Sequence, residues 1–273
     1  MRDDTMASGR AKRALRAYFS VFLLYLYLPT MLLVLFAFNS GTLPQFPLKG
    51  FTLHWFSAAW HTPALRSAIR NSLLVAAGTS VVATTLGVLT AYALARGRFR
   101  GRAVVSALAL VPLVVPYVVL GAALLIFVTR GPLHIGTSLT AVLLGHVVIT
   151  FPYTILLLVP RIASIDRRLE EAAQDLGAST AYTMRRIVLP LVAPSILASM
   201  LTAFVLSLDE YAVASLVIGG EPTYPVYLYS QLRFAPRLPL VIAVAAFLVA
   251  VTSVIVVAAE IVRRRGDRRL PAS

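Results

Sequence analysis

Six stretches of this sequence are long and almost wholly apolar. They fall at approximately 17–38, 71–95, 104–128, 140–160, 188–215 and 239–260. Crossing a bilayer as a helix takes about 20 residues, so each stretch is long enough. A spanning segment must satisfy its own backbone hydrogen bonds, which leaves helices or closed barrels. Barrel strands need only about 9–11 residues, and these stretches are far longer. The composition agrees, with 59% hydrophobic and 13% charged residues. Soluble domains carry about 25% charged residues. The fold class expected is an all-α membrane protein with six transmembrane helices. The sequence contains no cysteine, which rules out disulfides and thiolate metal sites.

The formal charge of +14 invites a nucleic-acid reading, but its distribution argues against one. Segments 1–16, 96–102, 161–186 and 263–269 hold 19 of the 25 lysines and arginines. The alternate connections, 39–70, 129–139 and 216–238, hold the remaining 6. This alternation follows the positive-inside rule with both termini cytoplasmic. The charge therefore orients a multi-pass protein toward membrane lipid, and no nucleic-acid partner is expected. Residues 1–16 read as a basic cytoplasmic tail that is disordered or rests on headgroups. Residues 17–262 read as the transmembrane domain, and residues 263–273 as a second basic tail.

The cytoplasmic loop at 161–187 stands apart from everything around it. Its most polar part carries Glu170, Glu171, Asp175, Arg185 and Arg186. An Asp, Lys or Arg at mid-bilayer costs about 2.5–3.5 kcal/mol, so this stretch stays at the surface. Leu169, Ala172, Ala173 and Leu176 recur at i, i+3, i+4 and i+7, the spacing of a helix with one apolar face. Glu170, Glu171, Gln174 and Asp175 take the rest of its surface. Asp166 suits the N-cap and Gly177 the left-handed terminating position. The two alanines permit close approach by a partner. A second helix is expected from Ser179 or Thr180 into the next span. Pro190 and Pro194 each remove a helical donor, so the start of that span is expected to bend.

The string E-A-A-x-x-x-G is Glu171, Ala172, Ala173 and Gly177. After nine residues comes I-x-L-P, with Ile187, Leu189 and Pro190. This pattern resembles the cytoplasmic EAA loop of the membrane subunits of binding-protein-dependent ABC importers. Asp175 and Leu176 before the glycine also match that family. The resemblance implies a type I ABC importer permease fold. It further implies that Glu170, Glu171, Ala172, Ala173, Asp175, Leu176 and Gly177 form a coupling helix docking on a separate ATPase.

Along the rest of the chain, Pro29 is expected to kink the first span. Tyr18, Tyr25 and Tyr27 suit either an interfacial belt or helix contacts. Phe51, Trp55, Phe56 and Trp60 suggest a half-buried interfacial helix with Thr52 as its cap. His54 and His61 lack a carboxylate partner, so no metal site is expected. The alternating arginines of 96–102 suit anionic headgroups. Pro112 and Pro116 share one helix face, giving a fixed kink or a bend that rearranges in a transport cycle. His146 reads more readily as an interhelical hydrogen bonder than as a relay.

Asp209 and Glu210 are an acidic pair near the external end of span five. Ionisable groups at such depth face a cavity or a partner. Two readings follow: a cation-attracting pathway formed with Ser207 and Tyr211, or a structural pair bonded to a neighbouring helix. The stretch Ser207 to Gly220, the string G-F-T-L-H-W-F at 50–56 and Arg70-Asn71-Ser72-Leu73 resemble the spermidine/putrescine branch of these permeases.

What the resemblance implies is a permease subunit in a bacterial cytoplasmic (inner) membrane. Its partners would be two ATPase subunits, a second and different permease, and an external solute-binding protein. The chain itself would bind no cofactor, with ATP and Mg held by the ATPase. The cargo would be a polyamine, with ferric iron or another small solute as the alternative. A secondary transporter has no use for the EAA spacing. An intramembrane enzyme is disfavoured because H-E-x-x-H and G-x-S-x-G are absent.

Overall fold

The computed structural model describes residues 4–131 and 135–267, so Pro132 and the end of the basic C-terminal segment lie outside the described residues. Every extended element found in it is helical. In chain order these are α1 (Asp4–Ala37), α2 (His54–Trp60), α3 (Pro63–Arg96), α4 (Arg102–Leu110) and α5 (Tyr117–Arg130). Then come α6 (Leu139–Ala163), α7 (Arg167–Asp175), α8 (Thr180–Thr183) and α9 (Leu189–Leu208). The chain ends in α10 (Ala212–Val217), α11 (Tyr224–Gln231) and α12 (Leu238–Asp267). Among the described residues five helical segments are long and apolar enough to cross a membrane, or up to six if the bent pair α4–α5 forms one span.

By internal contacts the chain divides into two compact units. The first comprises Met1–Thr62 and Gln231–Val249. Its core is Ala37, Ala243 and Ala246, packed with Leu33, Phe38, Trp55, Phe56 and Ile242. Asn39 organises the loop after α1. Its buried Oδ1 accepts hydrogen bonds from the Gly41 and Lys49 amides at 3.2 and 3.1 Å, and its carbonyl accepts from Trp55 Nε1 at 2.9 Å. The expected cap Thr52 does receive the His54 amide at 3.0 Å, but the helix itself starts one residue later than a Thr52 cap requires, with Leu53 at the N-cap position.

One expectation for α1 needs revision. The polar N-terminal residues are helical from Asp4 rather than a loose tail. Good helix formers such as Met6, Ala7, Ala11, Lys12, Ala14 and Leu15 extend a helix already nucleated by the span. Pro29 lies inside this helix.

The second unit comprises Pro63–Ser230 and Ala250–Ser273. Three long helices, α3, α6 and α9, pack pairwise at its centre. Their contact faces are rich in small and hydroxyl residues: Ala76, Thr79, Ala83 and Thr84 on α3, Thr150 and Thr154 on α6, Ala198 and Ser199 on α9. Lipid is as apolar as leucine, so helices in a membrane associate by close backbone approach rather than by hydrophobic burial. Gly87 shows how close this is. A Cβ there would lie 2.1 Å from Thr154 Oγ1. The α3 helix begins at Pro63, well before the expected span start at 71, because proline is suited to the first helical turn.

Span three does not form one kinked helix. The chain bends by 103° between α4 and α5. Pro112 sits in a 3₁₀ turn, Val111–Leu113, and Pro116 is extended at φ −55° and ψ 132° as the residue preceding α5. A proline four residues after another removes consecutive-turn donors, and each proline disfavours helix in the residue before it. Together they end one helix and start another.

Span five is also interrupted. It begins at Thr180, passes through a π-helical turn at Met184–Val188, and stops at Leu208 before α10 resumes. Pro190 lies in the first turn of α9 and Pro194 inside it, so the irregular backbone sits beside the missing donors.

Candidate functional site

Two places in the second unit concentrate polar chemistry: the α7 loop and the break between α9 and α10.

The α7 helix is held at both ends by its own sequence. Asp166 is extended, and its carboxylate accepts the Arg168 amide at 2.9 Å. At the other end the Ala178 amide reaches Ala173 O at 3.0 Å and the Gly177 amide reaches Gln174 O at 2.9 Å. Gly177 has φ +88°, the left-handed conformation this double-bonded terminus requires. Along the apolar face Leu169 is 50% and Leu176 91% exposed, and Ala172 is exposed as well. Nothing in the described chain covers Leu176. Asp175 points to solvent, and Glu171, 58% exposed, pairs with Arg167 at 3.2 Å.

Glu170 departs from the expected all-polar outer surface. It is only 5% exposed and turned toward α3. Its Oε1 accepts from Arg96 Nε at 2.7 Å and its Oε2 from Tyr92 Oη at 3.0 Å. The Arg96 Nη2 donates to Ile165 O at 2.7 Å. Arg96 therefore faces this carboxylate rather than headgroups, while Arg98, Arg100 and Arg102 are exposed. The Arg96 partner of Glu170 lies 74 residues away and no local pattern names it.

At the second place the acidic pair is split. Asp209 ends α9 and is exposed. Glu210 is 6% exposed and lies against His146 of α6, itself 1% exposed. The Glu210 carboxylate takes the Val213 and Ala214 amides at 2.9 and 3.0 Å and His146 Nε2 at 3.1 Å. A carboxylate only accepts, so Nε2 carries the ring proton. The Nδ1 atom lies 2.7 Å from Ser207 Oγ. Glu210 and Ser207 are thus used internally, one capping α10 and both fixing His146. His146 has the interhelical bonding role expected of it.

Tyr211 follows Asp209 by two residues. The rings of Tyr211 and Tyr229 stack with centroids 4.6 Å apart. Burial and, after it, the charge of Asp209 raise the proton affinity of the Tyr224 hydroxyl. The segment carrying these tyrosines is pinned to α3: Ser72 Oγ accepts the Tyr224 amide at 2.8 Å and Asn71 Nδ2 donates to Pro222 O at 3.2 Å. Asn71 and Ser72 belong to the Arg70–Leu73 string singled out in the sequence, which now has a structural task. Tyr211 and Tyr229 were not paired from sequence, because contact between them depends on how the chain returns after Gly219.

The chain is 34% identical over 245 residues to the spermidine/putrescine transport system permease protein PotC of Escherichia coli strain K12, covering 88% of this chain and 90% of that protein. It is 35% identical over 215 residues to the putrescine transport system permease protein PotI of the same strain, covering 77% and 76%. Among solved structures it matches a bacterial ABC transporter involved in import of the acidic polysaccharide alginate. The TM-score is 0.75 at 20% identity, over 96% of this chain and 97% of that one. A chain of the MetNI methionine ABC transporter matches with TM-score 0.58 at 18% identity, over 75% and 99%. These two similarities concern the fold. Residues 83–270 match the family model described as binding-protein-dependent transport system inner membrane component, and the chain belongs to that family.

Proposed function

We propose that this chain is the membrane permease of an importer whose cargo is a small organic cation of the polyamine type. Family membership makes it an ABC-importer permease subunit that moves a small solute using a partner ATPase and a solute-binding protein. It is not itself an enzyme; hydrolysis takes place on the partner. The polyamine reading is carried by one observation. Asp209 is exposed at the helix break, two residues before Tyr211, whose ring packs on that of Tyr229. A carboxylate together with aromatic faces attracts organic cations. The similarity to PotC, a spermidine/putrescine transport permease, and to PotI, a putrescine transport permease, agrees with it.

Further parts of the proposal follow from the sequence. The bent pair α4–α5 counts as one span, giving six, with both termini cytoplasmic. A second, different permease completes the pathway, and two ATPase subunits dock on the α7 loops. Glu171, Ala172, Ala173, Asp175, Leu176 and Gly177 meet the ATPase directly. Pro112, Pro116, Pro190 and Pro194 mark the places where helices rearrange in the cycle.

Uptake of labelled putrescine and spermidine by cells carrying the complete system tests the substrate, with ferric iron as the contrasting solute. Polyamine uptake is expected, and Asp209→Asn should lower it about tenfold if one exposed charge steers the cation. Iron uptake without polyamine uptake contradicts the assignment.

A further inference from the structure

The two adjacent acids of the α7 loop face in different directions. Glu171 is exposed toward solvent. Glu170 is enclosed, with Arg96 on one oxygen and Tyr92 on the other. We propose that Arg96, Tyr92 and Glu170 form a clasp that fastens the coupling helix to α3, so that α3 receives the displacement of α7. Arg96 and Glu170 are on this view positioning residues, distinct from the groups that meet the ATPase.

Three features support a clasp rather than an incidental ion pair. First, Arg96 grips two points: Glu170 in the first turn of α7 and Ile165 O just before it. Two anchors on one guanidinium resist both sliding and rotation, because the fork of donors is planar and rigid. Second, the pair is enclosed, with side chains 12% and 7% exposed, so water and salt screen it weakly. Third, Arg96 is the last residue of α3, and α3 packs against both α6 and α9. A push on α7 thus arrives at the helix that touches the other two members of the central bundle. Beside the clasp, α7 is joined to the bundle by the short 164–166 connection before it, and after Gly177 it packs against α8 and the π turn at the start of span five.

This inference rests on the reading of α7 as the ATPase-docking helix, and the experiment keeps the two apart. The chain contains no cysteine, so spin labels can be placed at will. One label replaces Arg168 on the exposed side of α7 and another replaces Leu89 on the exposed side of α3. The distance between them is measured by pulsed electron resonance in the assembled complex, nucleotide-free and vanadate-trapped. With the native clasp a single narrow distance is expected in both states. Glu170→Gln should broaden it, and the exchanged pair Arg96→Glu with Glu170→Arg should narrow it again. In the same preparations Glu170→Gln should keep the ATPase bound while labelled putrescine accumulated per ATP falls on the order of tenfold. Glu171→Lys should instead reduce recovery of the ATPase. A distance that shifts between states with the clasp intact, or that ignores Glu170→Gln, overturns the clasp. Full ATPase recovery with Glu171→Lys overturns the docking reading beneath it.

Discussion

Glu210 accepts two backbone amides of α10 and the ring N–H of His146. Removing its carboxylate uncaps a helix and strands a buried donor at once. Loss of a cap costs about 1 kcal/mol and a stranded buried donor about 1–3 kcal/mol. Glu210→Ala should therefore lower the unfolding temperature of the purified complex clearly, and His146→Ala should do so by a similar amount. Asp209→Asn removes a charge from an exposed position and should leave the unfolding temperature unchanged. Thermal unfolding in detergent checks all three. Equal effects of Asp209→Asn and Glu210→Ala would contradict the division of labour between these neighbours. That division was only half legible in the sequence. Adjacent residues on a helix point about 100° apart, so the two could be expected to face different surroundings. Which one faces inward depends on His146, 64 residues earlier, and on the helix ending at Leu208.

At the scale of elements, α7 owes its boundaries to local chemistry. Asp166 and Gly177 act on amides and carbonyls within a few residues, and both were identifiable from the sequence for that reason. Gly177→Val forces a branched side chain into a left-handed backbone, at about 1–2 kcal/mol. It should loosen the end of α7 and lower recovery of the ATPase on the tagged permease, while membrane insertion is unaffected. Quantitative pull-down checks this, and undiminished recovery would show that the glycine terminus is dispensable for docking. Where an element depends on distant partners, the sequence was less informative. Pro112 and Pro116 located the disturbance in span three, but a 103° turn rather than a modest kink depends on what α4 and α5 pack against. The π turn before Pro190 is of the same kind. The missing donors were visible, whereas the response of the backbone was not.

At the scale of the whole molecule, apolar length and arginine placement made a multi-span helical protein legible without any motif. The function followed from a different source, the spacing of the cytoplasmic loop, since the apolar spans alone would serve a secondary transporter equally well. What distinguishes the two is the origin of the driving force. Under the proposed docking of α7, the exposed Leu169, Ala172 and Leu176 are the surface through which a partner would move the permease. The most direct measurement uses proteoliposomes containing the complete complex, with the binding protein and labelled putrescine on the outside and ATP within. Accumulation is expected only when ATP and the binding protein are both present, and should stop when the ATPase subunits are omitted. Accumulation driven by an imposed ion gradient without ATP would contradict the assignment.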